Sequence, residues 1–553
     1  MLAAAAGFVA VLSLVPVARL LAEAVAPGGR PDLTLAAEVL ASRATWIATW
    51  HSVKTAVLGT AISIALGTGF ALLVGLTDAR GKAALTFLFL MPLMIPPQIS
   101  ALAFAQLGGP ASPLLRTLGI APRLGTPNRF FSEGGIVLVL GIQHAPLVFL
   151  ALRAALRSLP AEEIEAARAS GASPRFALRT IVLPLMTPAL AAGAALAFVS
   201  AIGNFGIPAF LGIPAGYTVL PTLIYQRLAS FGPAIIAETA VLSVLIGVLA
   251  AFGFAVQAAV LRRRDFRLAG TARRAGGFAL GLWRLPTEML AWGTLALILV
   301  APLAALVATA LVPAYGVKLG PGTATLHNFA EVLFRQDATV RAFRNSFALA
   351  GGAALVLMLV AVPFAYLVVW RRGRLARVLN AAAELPYALP GIVLGIAMIL
   401  LFIRPLPFAG VSLYNTIWII FLAYLARFLI LCIRPVTGAL EQVDRALEEA
   451  ARMTGARLPF RLLTVVLPIL APAAAAGGLL VFMTAFNELT VSALLWSAGN
   501  ETLGVVVFNL EDAGLSVLAA AVSVVSVAVT VALMLLASLF GKRLPPGVIP
   551  WRA

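Results

Sequence analysis

One cysteine, three histidines and a charged fraction of 11% leave 553 residues with few groups for acid–base or metal chemistry. The single cysteine, Cys432, lies in an apolar run and excludes an internal disulfide framework or a site built on several thiolates. It reads as a small buried apolar residue. His51, His144 and His327 are not spaced for a metal site, so none is assigned. A P-loop is also missing: the Gly-Lys pairs are Gly81-Lys82, followed by Ala83, and Gly541-Lys542, followed by Arg543. No nucleophile stands beside a base in a catalytic motif, and no catalytic residue is assigned. Soluble domains carry about 25% charged residues. With 61% hydrophobic residues, this chain has too little polar surface to coat a water-soluble globule, so its main solvent is expected to be lipid.

Apolar runs of about 20 residues, the length that spans a bilayer as helix, lie near 2–26, 52–77, 83–107, 134–156, 181–203 and 234–261. A second set lies near 289–313, 345–370, 379–403, 415–436, 465–487 and 514–540. The N-terminal run lacks the basic flank of a cleaved signal peptide and is too long for one, so it is expected to remain as the first span. With the N-terminus placed in the cytoplasm, cytoplasmic segments hold 26 of the 40 lysines and arginines, and outer segments hold 12. This bias fits twelve spans with both termini inside. It also explains the net charge of +18 without nucleic acid. The cluster "RRRDFRLAGTARR" at 262–274 becomes a cytoplasmic linker that meets anionic headgroups of the bilayer.

The chain repeats itself. "EAARASGASPRFALRTIVLPLMTP" from Glu165 returns as "EAARMTGARLPFRLLTVVLPILAP" from Glu449, an offset of 284 without a gap. Ser52 aligns with Ser346, and Pro92 and Pro96 with Pro386 and Pro390, at an offset of 294. Pro16 aligns with Pro302. Six spans per half is an even number, so both halves enter and leave on one side. The expected fold is an all-α integral membrane protein, about twelve transmembrane helices forming two parallel six-helix repeats about a pseudo-twofold axis along the membrane normal. Residues 1–261 form the first unit, 262–288 the basic linker, 289–541 the second unit and 542–553 a cytoplasmic tail.

Both copies of the charged segment fall on the cytoplasmic side. Pro160 suits a first helical turn, and Glu162, Glu163 and Glu165 follow near the positive end of the helix dipole. Asp444 can cap the second copy ahead of Glu448 and Glu449. Ala166-Ala167 and Ala450-Ala451 leave a smooth surface on which another protein can rest. Gly171 and Gly455 then reverse the chain in a left-handed conformation. The result is a short helix across the membrane face, presented twice, with a symmetric pair of soluble subunits as its natural partner.

This pattern, E-A-A, three residues, G, then about a dozen residues to L-P, resembles the coupling segment of ABC-type importer permeases, and the resemblance covers nearly all of both halves. It implies that Glu165, Ala166, Ala167 and Gly171, and likewise Glu449, Ala450, Ala451 and Gly455, dock into clefts on two copies of a cytoplasmic ABC ATPase. ATP and magnesium would sit on those partners, with no cofactor on this chain. A periplasmic binding protein would deliver substrate at the bacterial inner membrane. ATP-driven closure of the partners would push the coupling helices together and turn the pore outward.

Two fused units carrying "NFGIPAFLGIPAGYTVLPTLIYQRL" (204–228) and "NELTVSALLWSAGNETLGVVVFNLEDAG" (487–514) look like the ferric-iron permeases. Related permeases for thiamine, polyamines and phosphonates share the architecture. Asn204, Asn487 and Glu488 break the apolar pattern where a substrate would enter. They line the route or cap a broken helix. Glu384 and Arg427 are expected to pair across helices. The outer stretch 488–513 carries Glu488, Glu501, Glu511 and Asp512 without a lysine or arginine, and so either attracts a cation or meets the binding protein. An ion-gradient-driven secondary transporter is the competing class, but it leaves the duplicated segment without a role.

Overall fold

The computed structural model describes residues 2–157, 165, 169–230, 232, 234–262, 278–405 and 410–540. Most of the linker, the tail, and Pro160, Glu162, Glu163, Ala166 and Ala167 lie outside the described residues. Among the described residues there is no strand beyond an isolated bridge between Thr77 and Phe278. Ten helices among the described residues are long and apolar enough to cross a membrane: Leu2–Val25, Arg43–Leu76, Glu133–Arg157, Arg175–Ile202, Ile235–Leu261, Gly281–Ala310, Asp337–Arg371, Ile417–Glu441, Leu458–Phe486 and Ser516–Leu539. Two more crossings are bent pairs. Lys82–Met94 meets Pro97–Thr117 at 101°, and Arg374–Ala388 meets Gly391–Phe402 at 108°.

These breaks fall inside the apolar runs near 83–107 and 379–403, the expected third and ninth spans. Pro96 and Pro390 cap the second helix of each pair, after Ile95 and Leu389 in extended conformation. A proline cannot continue a helix from the turn before it, and it pushes its predecessor toward extended backbone. Each bent pair still crosses the bilayer, as the neighbouring helices require. Lys54 pairs with Glu133 at 2.7 Å, and a Cβ on Gly75 would meet Leu156. Spans two and four therefore run parallel. Lys54 to Gly75 covers roughly 32 Å of helix, one hydrocarbon thickness. The chain must recross between them, and the bent pair makes that return. Spans eight and ten repeat the arrangement, with Gly352 beside Phe421 and, at the other end, Tyr366 bonded to Glu448 on the helix that follows span ten.

The halves also repeat in detail. Pro174–Ala177, a π-helical turn Leu178–Val182 and Leu183–Ile202 recur 284 residues later as Leu458–Arg461, Leu462–Val466 and Leu467–Phe486. A Cβ on Gly193 would lie 2.9 Å from Val148 Cα, and one on Gly477 the same distance from Cys432 Cα. These glycines let spans four and five, and ten and eleven, approach closely, as small residues do in membranes. Cys432 is buried at that contact.

Buried Ser52 accepts from the Leu220 N–H at 2.7 Å, and buried Ser346 from the Leu503 N–H at 2.9 Å. Each hydroxyl fixes the start of a short helix, Leu220–Leu228 or Leu503–Asp512. Ser52→Ala or Ser346→Ala strands a buried N–H and is expected to cost about 1–3 kcal/mol. Thermal unfolding of the detergent-purified chain measures this, and Ser52→Thr should recover part of the loss.

By packing, the chain forms two compact units, each drawing on both halves. One contains the residues up to Trp46, Leu223–Gly247 and those from Leu326 onward; in it the first span packs on the ninth. The other contains Ile47–Thr222 and Val248–Thr325, and its seventh span packs on the third.

Candidate coupling segments and helix breaks

The second copy of the charged segment forms the helix Ala446–Met453. Asp444 accepts from the Ala446 N–H at 2.9 Å and so starts it. Glu449 is exposed and pairs with Arg445 at 3.3 Å, one turn earlier. Ala450 is exposed and Ala451 half-buried. Gly455 has φ +77° and reverses the chain, with no atom within 4 Å of where a Cβ would stand. In the first copy Glu165 is helical and exposed, and Gly171 has φ +81° with the same open surroundings. An uncovered apolar face accompanies the second helix: Leu447, Met453, Phe460 and Leu463 are all exposed, Met453 at 87%.

Sequence reasoning missed what anchors this helix. Glu448, only 4% exposed, pairs with Arg461 at 3.1 Å and accepts from the Tyr366 hydroxyl at 3.1 Å. Arg461 is itself 8% exposed. The helix Ala446–Met453 is thus tied to span eight and to the start of span eleven through one buried carboxylate. At the repeat offsets the first half carries Ile164, Ala177 and Leu72 at these positions. No ion pair can form there. The signal lay in that difference, which a search for likeness between the halves passes over.

The polar residues proposed for the route sit at two equivalent helix breaks. Asn204 Oδ1 accepts from the Ile207 N–H at 3.0 Å. Glu488, its counterpart at offset 284, accepts from the Val491 N–H at 2.9 and 3.1 Å. It also accepts from the N–H and hydroxyl of Ser492, each at 3.1 Å. All of Asn204, Asn487 and Glu488 are buried. Both equivalent side chains therefore cap the short helix that follows span five or eleven.

A second equivalent pair crosses the prolyl breaks. Gln143 donates to Pro92 O at 2.6 Å and Ile95 O at 2.9 Å, satisfying carbonyls freed by the bend. Its counterpart is Arg427. A Cβ on Gly391 would come within 2.5 Å of Arg427 Nη1, so the glycine makes room for the guanidinium at the Pro390 break. Arg427 does not pair with Glu384, contrary to the expectation above. Glu384 instead bonds Arg434 at 3.0 Å, one helical turn pair further along span ten. The outer carboxylates are also less open than their sequence suggests. Glu501 accepts from the Gly499 N–H and pairs with Arg341 at 3.5 Å. Burial pushes its pKa up, but those hydrogen bonds outweigh burial and hold it below the usual carboxylate range. Among the described residues no three His, Cys, Asp or Glu stand together as a metal site.

The model of the binding-protein-dependent transport system inner membrane component matches twice, over residues 67–265 and 341–549. The chain belongs to that family. The permease is 29% identical over 527 residues to the "Probable ABC transporter permease protein y4fN" of Sinorhizobium fredii, covering 93% of this chain and 90% of the relative. It is 25% identical over 454 residues to the Fe(3+)-transport system permease protein FbpB 2 of Haemophilus influenzae, covering 81% and 80%. It is 31% identical over 211 residues to the molybdenum transport system permease protein ModB of Mycobacterium tuberculosis, covering 36% of this chain and 74% of that one. The permease is a multi-pass membrane protein carrying two fused copies of the family domain.

Proposed function

We propose that this permease is the non-catalytic membrane subunit of an ABC importer at the bacterial inner membrane, with both termini in the cytoplasm. It moves a solute delivered by a periplasmic binding protein. Two ATPase subunits bind ATP and magnesium, and each docks on one coupling segment. The observation that carries this reading is the duplicated helix-and-glycine segment, with Gly171 and Gly455 both left-handed and an apolar face at Leu447, Met453 and Phe460 left uncovered. An uncovered apolar patch marks a contact with protein or membrane, and its place on a short helix outside the spans supports the protein contact.

Ferric iron is the proposed cargo. Relatives that match over most of the fused two-unit length include ferric permeases beside the Sinorhizobium fredii permease, whose name states no cargo, whereas the molybdenum relative matches 36% of this chain. An ion-gradient mechanism has less support, because Glu23, Glu133, Glu238 and Glu384 are each paired with a basic residue. Uptake of radiolabelled ferric iron by cells with and without the chain tests the assignment. Uptake is expected to fall to background in the deletion and to collapse when ATP is depleted. Undiminished uptake in the deletion argues against iron. Uptake that survives ATP depletion and tracks the proton gradient argues against the ABC mechanism.

A further inference from the structure

We propose that the cargo crosses this permease as an anion, and that Arg427 is the residue selecting it; the inference rests on the importer reading above. Arg427 lies mid-way along span ten, Ile417–Glu441, where a charge is costly unless it faces a partner or an aqueous cavity. It makes no hydrogen bond and no ion pair with the described residues, and its Nη1 is buried without a partner. The residue equivalent to it in the first half, Gln143, has a structural duty, donating to both carbonyls at its prolyl break. Arg427 makes no such bond at Pro386 or Leu389. A guanidinium is therefore present where a neutral amide does the structural work in the other half.

Its surroundings give the guanidinium no direct ion pair, although the Phe428 ring lies 6.0 Å from its Cζ. The nearest break in span eleven supplies Glu488, but that carboxylate is already held by the backbone of Val491 and Ser492 and by the Ser492 hydroxyl. The Ser492 hydroxyl in turn lies 2.8 Å from the Tyr424 hydroxyl. Glu384, the other carboxylate on the bent span, is taken by Arg434. Gly391 and Thr490 frame the guanidinium, and neither carries charge. A permanently charged fork with free donors in a low-dielectric layer attracts carboxylate or phosphate-type oxyanions and repels bare cations. Ferric iron would then pass within a chelate of net negative charge.

The test uses cells lacking the native chain and supplied with wild type, Arg427→Gln or Arg427→Lys, at equal membrane levels and with the ATPase still co-purifying. Four probes are offered: ⁵⁵Fe(III) complexed with ¹⁴C-citrate, molybdate, thiamine and putrescine. Wild type is expected to import both labels together. Arg427→Gln, which installs the residue of the first half, should lower that uptake roughly tenfold or more, as loss of a desolvated charge partner does. Arg427→Lys should retain part of it. If iron uptake ignores the chain while molybdate uptake requires both the chain and Arg427, the iron assignment fails and the anion inference stands. Entry of ⁵⁵Fe without ¹⁴C, chain-dependent uptake of thiamine or putrescine, or independence of both anionic probes from the chain overturns it.

Discussion

Glu448→Ala is expected to destabilise the permease by about 3–5 kcal/mol, because it leaves the Arg461 guanidinium buried without its carboxylate. Both partners are almost fully buried, so solvent screening does little to soften the loss. Tyr366 loses its acceptor in the same step. Replacing both charges, as in Glu448→Leu with Arg461→Leu, should return most of the stability, since a packed apolar pair can replace a buried ion pair at little cost. It should not return full transport. The bond from Tyr366 and the pair with Arg461 are what tie Ala446–Met453 to spans eight and eleven, and the double variant lacks both. Thermal unfolding separates the stability effect from the coupling effect, which is read as solute moved per ATP hydrolysed. Wild-type coupling in the double variant would remove Glu448 from the mechanism. At the equivalent first-half positions, Ile164 and Ala177, small apolar exchanges should change the coupling ratio little.

The second large effect concerns the reversing glycines. Gly171→Val with Gly455→Val is expected to abolish uptake while the chain still reaches the membrane. At φ +81° and +77° a β-branched residue pays roughly 1–2 kcal/mol at each site in backbone strain. No neighbouring atom lies close enough to add a clash, so the whole effect is conformational. The turn either unwinds or swings the preceding helix away from its partner. Asparagine, which tolerates the left-handed region, should preserve much more activity than valine at both sites. Equal uptake by the asparagine and valine variants would show that the turn geometry is immaterial. Testing the two valines singly reports whether the handle anchored by Glu448 and the one without that anchor matter equally.

Much of this architecture is legible in the sequence. Most of the spans emerge from apolar length alone, ten of them among the described residues as helices long and apolar enough to cross a membrane. The repeat is legible because Glu, Ala-Ala, Gly and Leu-Pro recur in register. The broken third and ninth spans are not legible in the same way. Pro92, Pro96, Pro386 and Pro390 are plain in the sequence, but a proline tells where a helix is free to bend and not by how much; tertiary packing sets the angle near a right angle. The pairing of Glu384 with Arg434 in place of Arg427 turns on which face of span ten meets the bent helix. Composition does not specify that face. Asn204 and Glu488 stand out as polar residues in apolar runs. Their capping role depends on breaks ending spans five and eleven, which only the backbone reveals. The Glu448 anchor escapes because its partners lie 13 and 82 residues away in the chain and are absent from the other half.

The central claim is that one chain offers two handles to two motors. A photo-crosslinking residue placed at Ala169 or at Met453, equivalent exposed positions on the two copies of the charged segment, tests it in intact membranes. Each single substitution should yield an adduct of this permease with an ATPase subunit carrying a Walker A motif. The doubly substituted chain should yield an adduct carrying two such subunits. Crosslinking to lipid alone, or to an ATPase from one position and never the other, would contradict the account.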